Sequence, residues 1–242
     1  MFSTLILSAI MAFSAQEPVE ASAPTKLETL QLSYQAARAD YYAKLEAMYE
    51  SGEFTELENP IEEYFDRFKI IAKDKGVTHG DRARAQLWCV ENFGQKAWTH
   101  PEKVFGSLSK LFIGEYADSD FAVEYCASLR NVRVSSEIKI TALKSLSAAT
   151  TAKKVKAHCM LAMANAYSDN SNQQQTDATV DALLEKYPDS DAAAKAAPLL
   201  VKRQLQVGKT APALGGVDVD GKPRHLKDTR GKVTFVVFWG FW

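Results

Sequence analysis

Val233-Thr234-Phe235-Val236-Val237-Phe238-Trp239-Gly240-Phe241-Trp242 closes the sequence, and its reading decides the second half of the fold. Val233, Phe235, Val237 and Trp239 point one way along an extended chain, and Val236 and Phe238 point the other. Only Thr234 among the first seven is polar. A half-buried strand alternates apolar and polar residues, whereas a strand covered on both faces reads as a continuous apolar run. The stretch Val233–Phe238 therefore predicts a two-sided buried strand, with neighbours on its edges and cover above and below. As a bare terminus it would present an aromatic patch and an open edge. The expectation is that the sequence stops inside a second domain, ahead of that domain's chemistry.

Working outward, residues 207–242 read VGKTAPALGGVDVDGKPRHLKDTRGKVTFVVFWGFW. An extended entry from Gly208 to Leu214 precedes a small hairpin. Val217-Asp218-Val219 leads into Asp220-Gly221, a tight-turn dipeptide. Leu226-Lys227-Asp228 then approaches a second turn at Arg230-Gly231-Lys232, and the apolar strand follows.

This order resembles the thioredoxin superfamily, most closely its branch of exported thiol–disulfide oxidoreductases of the TlpA and ResA kind. The resemblance rests on V-G-K-T-A-P, D-V-D-G-K-P, L-K-D-T-R-G-K and F-V-V-F-W-G-F-W, and covers residues 207–242 only. It implies that the strand is the centre of an α/β sheet and runs into an active-site flank formed by Trp239, Gly240, Phe241 and Trp242. It also implies that a Cys-x-x-Cys dithiol follows at once, beyond Trp242. No catalytic residue is then present in the sequence itself, and no cofactor is implied. The substrates would be protein thiols or disulfides, or a redox partner protein. A peroxiredoxin-like peroxidase shares the A-P, D-G and R-G-K elements and stays open as an alternative.

From about Pro24 to Gln206 the period is helical. Leu27, Leu30, Tyr34, Ala37, Tyr41, Leu45 and Met48 step by three and four, as do Ile61, Tyr64, Phe65, Phe68 and Ile71. Asn59-Pro60-Ile61-Glu62 has the residues of a helix start, and Thr99-His100-Pro101-Glu102 repeats that logic ahead of Val104, Phe105, Leu108, Leu111 and Phe112. Gly52, Gly76, Gly94 and Gly114 are expected where helices end. Further helices are expected near 120–130, 136–148, 152–168, 174–187 and 190–206. The polar run Ser168–Gln175 reads as an interhelical loop. Glu115–Ala122 resembles Lys186–Ala193 at an offset of about two 34-residue helix–turn–helix repeats. The expected class is thus mainly α: an antiparallel helical-repeat or bundle domain, tetratricopeptide-like, over 24–206, then the truncated start of an α/β thioredoxin-like domain over 207–242. A helical-repeat scaffold that binds a protein ligand is the competing reading of the whole chain.

The remaining residues bound the function. The chain has 242 residues, 46% of them hydrophobic and 24% charged, with a net charge of −1. No single-sign field points to nucleic acid or an anionic membrane. Leu5–Phe13 is an apolar stretch too short to span a bilayer, but it suits the core of a secretory signal, and Ala21-Ser22-Ala23 offers a cleavage triplet. Residues 1–23 are therefore expected to be a signal and leader, and the protein an exported or periplasmic one with no stable membrane span. Cys89, Cys126 and Cys159 form no Cys-x-x-Cys and have no metal-ligand spacing. Each is expected as a small buried hydrophobe; an oxidising compartment could pair two of them, with the choice open. His79, His100, His158 and His225 are scattered, and His158 and Cys159, adjacent on one helix, are expected to face different ways.

Overall fold

The computed structural model describes residues 23–237 and Gly240. The expected signal, Trp239, Phe241 and Trp242 fall outside those residues, apart from Ala23.

Helix α1 (Lys26–Ser51) starts at a capping box: the Thr25 hydroxyl accepts from the Glu28 amide at 3.2 Å, and the Glu28 carboxylate accepts from the Thr25 amide at 2.7 Å. It ends at Gly52, whose φ of 74° is the left-handed cap that glycine adopts without strain. The predicted stripe is the inward face. Leu27, Leu30 and Tyr34 are buried, whereas Ala37, Tyr41, Leu45 and Met48 are only half-buried.

Helices α2 (Ile61–Lys73), α3 (His79–Glu91), α4 (Pro101–Tyr116), α5 (Phe121–Ser128), α6 (Ser136–Ala149), α7 (Lys153–Asp169), α8 (Gln173–Lys186), α9 (Asp191–Lys195) and α10 (Ala197–Gln204) follow. The packing is local in sequence. Helix α3 packs on α2, α4 and α5; α7 packs on α5, α6, α8 and α9; α4 packs on α6, and α8 on α10. An aromatic ladder forms the first core. Phe68 stacks on Trp88 with ring centroids 3.7 Å apart, Phe93 stacks on Trp98 at 5.0 Å, and Phe112 stacks on Tyr125 at 4.7 Å. A second, smaller core of Ala157, Ala164, Val180, Leu183, Ala192, Ala193, Ala196 and Leu199 lies on the far side of α7.

Helix α7 begins under a remote cap. Asp118, in the turn after α4, accepts from the Thr151 amide at 2.6 Å, the Thr150 hydroxyl at 2.8 Å, the Thr151 hydroxyl at 3.1 Å and the Ala152 amide at 3.2 Å. Those bonds, the Thr151 amide first, hold its carboxyl below the ordinary aspartate range. The two look-alike segments also share a local structure. The hydroxyls of Ser119 and Ser190 each donate at 2.7 Å to the carbonyl three residues back, on Tyr116 and Tyr187. Ala122 and Ala192, which follow, are fully buried.

Several expectations are corrected. The helix expected over 190–206 is two, α9 and α10, because Pro198 sits in the first turn of α10 and cannot continue the hydrogen-bond ladder from α9. Gly114 does not end a helix; α4 runs on to Tyr116, and Gly114 does not adopt the left-handed conformation of a helix-ending glycine. At Asn59, the side chain accepts from the Ile61 amide at 3.0 Å, but the helix proper opens one residue later than expected. His100 makes no side-chain cap to α4. The polar interhelical loop is shorter than expected: α7 runs to Asp169 and α8 opens at Gln173, where the Asn172 side chain accepts from the Gln175 amide at 3.1 Å.

After α10 the chain turns over residues 205–209, with Gly208 at φ 84°, and 210–214 carry no regular structure. Strands β1 (Gly215–Val217) and β2 (Pro223–His225) pair antiparallel, with Gly215 opposite His225. The turn lies where Asp220-Gly221 placed it, with Gly221 at φ 74°. The largest correction concerns the apolar ribbon. Residues 233–237 form no strand, and Val233 and Phe235 are each 90% exposed. A strand needs hydrogen-bonding partners on its edges, and the one sheet among the described residues, β1–β2, does not take this segment in.

Phe68→Ala should cost about 3–5 kcal/mol in urea unfolding, because it opens a cavity under Trp88. Phe235→Asp should stay within about 0.5 kcal/mol, as for an exposed site. Asp118→Ala should lower the thermal midpoint at neutral pH. The carboxylate's contribution is complete above the ordinary aspartate range and is lost as pH falls through the lowered native value, so the gap to the parent protein should narrow in acid.

Candidate functional site

Two places draw functional attention: the C-terminal segment and the thiols of the helical part. In the segment, the hairpin is organised by Asp218. Its Oδ1 accepts from the amides of Asp220 at 3.0 Å and Lys222 at 2.9 Å, and its Oδ2 accepts from Arg224 Nε at 2.9 Å. These bonds, the Lys222 amide first and then Arg224, hold its carboxyl low. A 3₁₀ turn (Leu226–Thr229) follows β2, and Asp228 Oδ2 accepts from the His225 amide at 3.1 Å. Of the expected active-site flank, Gly240 is exposed and outside any regular element, while Trp239, Phe241 and Trp242 lie beyond the described residues.

The three thiols sit in different surroundings. Cys89, on α3, is fully buried with its Sγ 4.0 Å from the Phe65 carbonyl of α2. Burial pushes its thiol up to about 12. Cys126 of α5 and Cys159 of α7 face each other, Sγ to Sγ, at 3.7 Å. The shared hydrogen bond, and then burial, hold the Cys126 thiol well above its ordinary value. Low-pKa reactive thiols sit in electropositive, partly open surroundings. None of these three has that setting.

The histidines stay apart. His79 packs its ring on Tyr116 at 4.8 Å, His100 precedes α4, and His225 ends β2. His158 is buried on α7, and burial first, then Lys195, holds its imidazole below the usual range. Its Nε2 lies 3.6 Å from Asp191 Oδ2, beyond hydrogen-bond distance. His158 thus faces α9 while Cys159 faces α5, as adjacent positions on a helix require. No group of three His, Cys, Asp or Glu side chains suited to a metal occurs among the described residues. No helix there is long and apolar enough to cross a membrane.

A cavity of about 760 Å³ opens between α5, α6, α7 and α10. Cys126, Leu143, Leu161 and Leu199 supply apolar wall, and Lys139 and Lys202 stand among its charged residues. Lys202 Nζ is tied down, donating to the Ser168 hydroxyl at 2.7 Å.

Comparison with known proteins gives a short match. A stretch of 41 residues is 46% identical to the thiol-disulfide oxidoreductase ResA of Bacillus anthracis, and equally to that of Bacillus thuringiensis (strain Al Hakam). It covers 17% of this chain, and the chain spans about a quarter (24%) of the length of those relatives. The match supports a thioredoxin-like relationship for that stretch. No family model matches the chain, and no solved structure matches it.

Residue spacing alone did not single out the Cys126–Cys159 pair. A signal was nonetheless present: the two are 33 residues apart, and Asp120–Lys154 and Ser168–Lys202, also in contact, are 34 apart. One helix–turn–helix repeat is about that long. In the reduced, folded protein all three thiols should resist 5,5′-dithiobis(2-nitrobenzoate) and titrate only on unfolding; fast reaction of any one under native conditions would contradict the burial described.

Proposed function

We propose that residues 207–242 are the opening of a thioredoxin-like module, and that the chain belongs to an exported thiol–disulfide oxidoreductase acting on protein thiols or disulfides. The 46% identity over 41 residues to ResA proteins carries this reading. The order of the turns at Gly221 and Gly231, both at positive φ, ahead of an apolar ribbon supports it. In this reading Trp239, Gly240, Phe241 and Trp242 flank the active site, and the reacting dithiol lies outside the sequence given. A cysteine there would open a helix, where free amides and the helix dipole stabilise a thiolate. Attack on a substrate disulfide would form a mixed disulfide, and a second cysteine would resolve it. Electrons pass from sulfur to sulfur, so no cofactor is required.

The helical part, residues 24–206, is read in the same proposal as a tetratricopeptide-like array that presents a surface to a protein ligand. Its support is the packing of helices on neighbours one or two places away in sequence, the habit of quasi-one-dimensional folds. Residues 1–23 would direct export.

The test is the gene itself, followed by an assay. Coding DNA read past codon 242 should specify Cys-x-x-Cys at once, and the extended protein should reduce insulin with dithiothreitol as electron source. Residues 1–242 alone should be inactive in that assay, because Cys89, Cys126 and Cys159 are buried. A stop codon, or a continuation with one cysteine and peroxide consumption, would replace the dithiol reading with the scaffold or the peroxiredoxin reading respectively.

A further inference from the structure

We propose that Cys126 and Cys159 are a disulfide site, formed by thiol–disulfide exchange with a small-molecule disulfide such as oxidised glutathione, that staples α5 to α7. This goes beyond the reading of the C-terminal module and does not depend on it.

The sulfurs stand 3.7 Å apart in the reduced protein. A disulfide needs about 2.05 Å, so the two sulfurs must approach by about a further 1.7 Å. The surroundings hold the two helices in register independently of the sulfurs. Asp120 at the start of α5 pairs with Lys154 at the start of α7 at 2.8 Å. Asp118 caps α7 from the same turn with four hydrogen bonds. Next to Cys126, Tyr125 is buried and donates its hydroxyl to Ser109 Oγ at 2.8 Å. Contacts of α5 and the turn before it with the start of α7, and of α5 with α4, thus frame the approach of the sulfurs. Cys89 is excluded, because it faces α2 rather than either partner.

The two sulfurs have distinct roles. Cys126 is 3% exposed and lines the cavity between α5 and α7, whereas Cys159 is 0% exposed. In the first exchange the Cys126 thiol loses its proton and its sulfur attacks glutathione disulfide. A Cys126–glutathione bond forms, the glutathione S–S bond breaks, and one glutathione thiolate leaves and takes up a proton. In the second, the Cys159 thiol loses its proton and its sulfur attacks Cys126 Sγ, releasing the other glutathione. The protein gives up two protons and two electrons, and one glutathione disulfide becomes two thiols. Burial makes both steps slow in the folded chain and faster while α7 is still docking.

The staple would close a loop of 33 residues around α6. Restricting the unfolded chain in this way raises stability.

The experiment refolds the full 242-residue chain from denaturant in a mixture of reduced and oxidised glutathione, blocks free thiols with iodoacetamide and maps tryptic peptides. The expected product joins the peptide Leu111–Arg130 to the peptide Ala157–Lys186, two hydrogens lighter than their sum, while Cys89 is alkylated. The same product should form in Cys89→Ser. The thermal midpoint of the oxidised chain should exceed that of the reduced chain by about 5 °C or more, and Cys126→Ala should abolish the difference. Complete alkylation of both Cys126 and Cys159, or a bridge to Cys89, overturns the proposal. The peptide map of the parent protein decides the matter even where a variant folds poorly.

Discussion

The structure depends on the burial of α7 on two sides. Val155 and Cys159 face the first core, and Ala157 and Ala164 face the second. Small side chains at 157, 159, 162, 164 and 166 let α5, α6, α8 and α9 approach the same helix, because close packing tolerates no gap between elements. A helix surrounded in this way needs its own ends satisfied. Asp118 supplies that from another segment, reaching the Thr151 and Ala152 amides that α7 leaves without intrahelical partners. The small faces set how closely its neighbours approach, and the cap satisfies the start of the helix they enclose.

That arrangement also sets the chemistry of the thiols. The packing that makes Cys89, Cys126 and Cys159 good fillers withdraws them from solvent and raises the cost of a thiolate at Cys89 and Cys126. A redox enzyme needs the opposite environment, an opened helix start with free amides. The buried thiols of the helical part offer no such setting. Two of its sulfurs, on Cys126 and Cys159, face one another, and the third, on Cys89, faces α2.

The C-terminal segment shows how far local information reaches. Asp218 organises the hairpin through bonds to residues two, four and six positions away, so the turn forms with no help from the helices. Nearby turn chemistry was legible for the same reason, as were the buried faces of α2 and α4. The apolar ribbon from Val233 was equally legible as a strand in waiting, yet it is exposed here. Its period states what the residues need, and only pairing partners can meet that need. Pro198 shows the converse: a helical period across 190–206 looked continuous, and one missing amide hydrogen divided it.

Sequence by itself determined the helical class of residues 24–206, the helix end at Gly52, the hairpin turn at Gly221 and the inward stripes, because each rests on dihedral preference or on contacts within a few residues. Tertiary structure decided which sulfur meets which, that His158 turns to Asp191 while Cys159 turns to Cys126, and that Asp118 serves a helix more than thirty residues away. Those outcomes depend on the register of packed helices, which side-chain volumes set collectively and no short stretch of residues encodes alone.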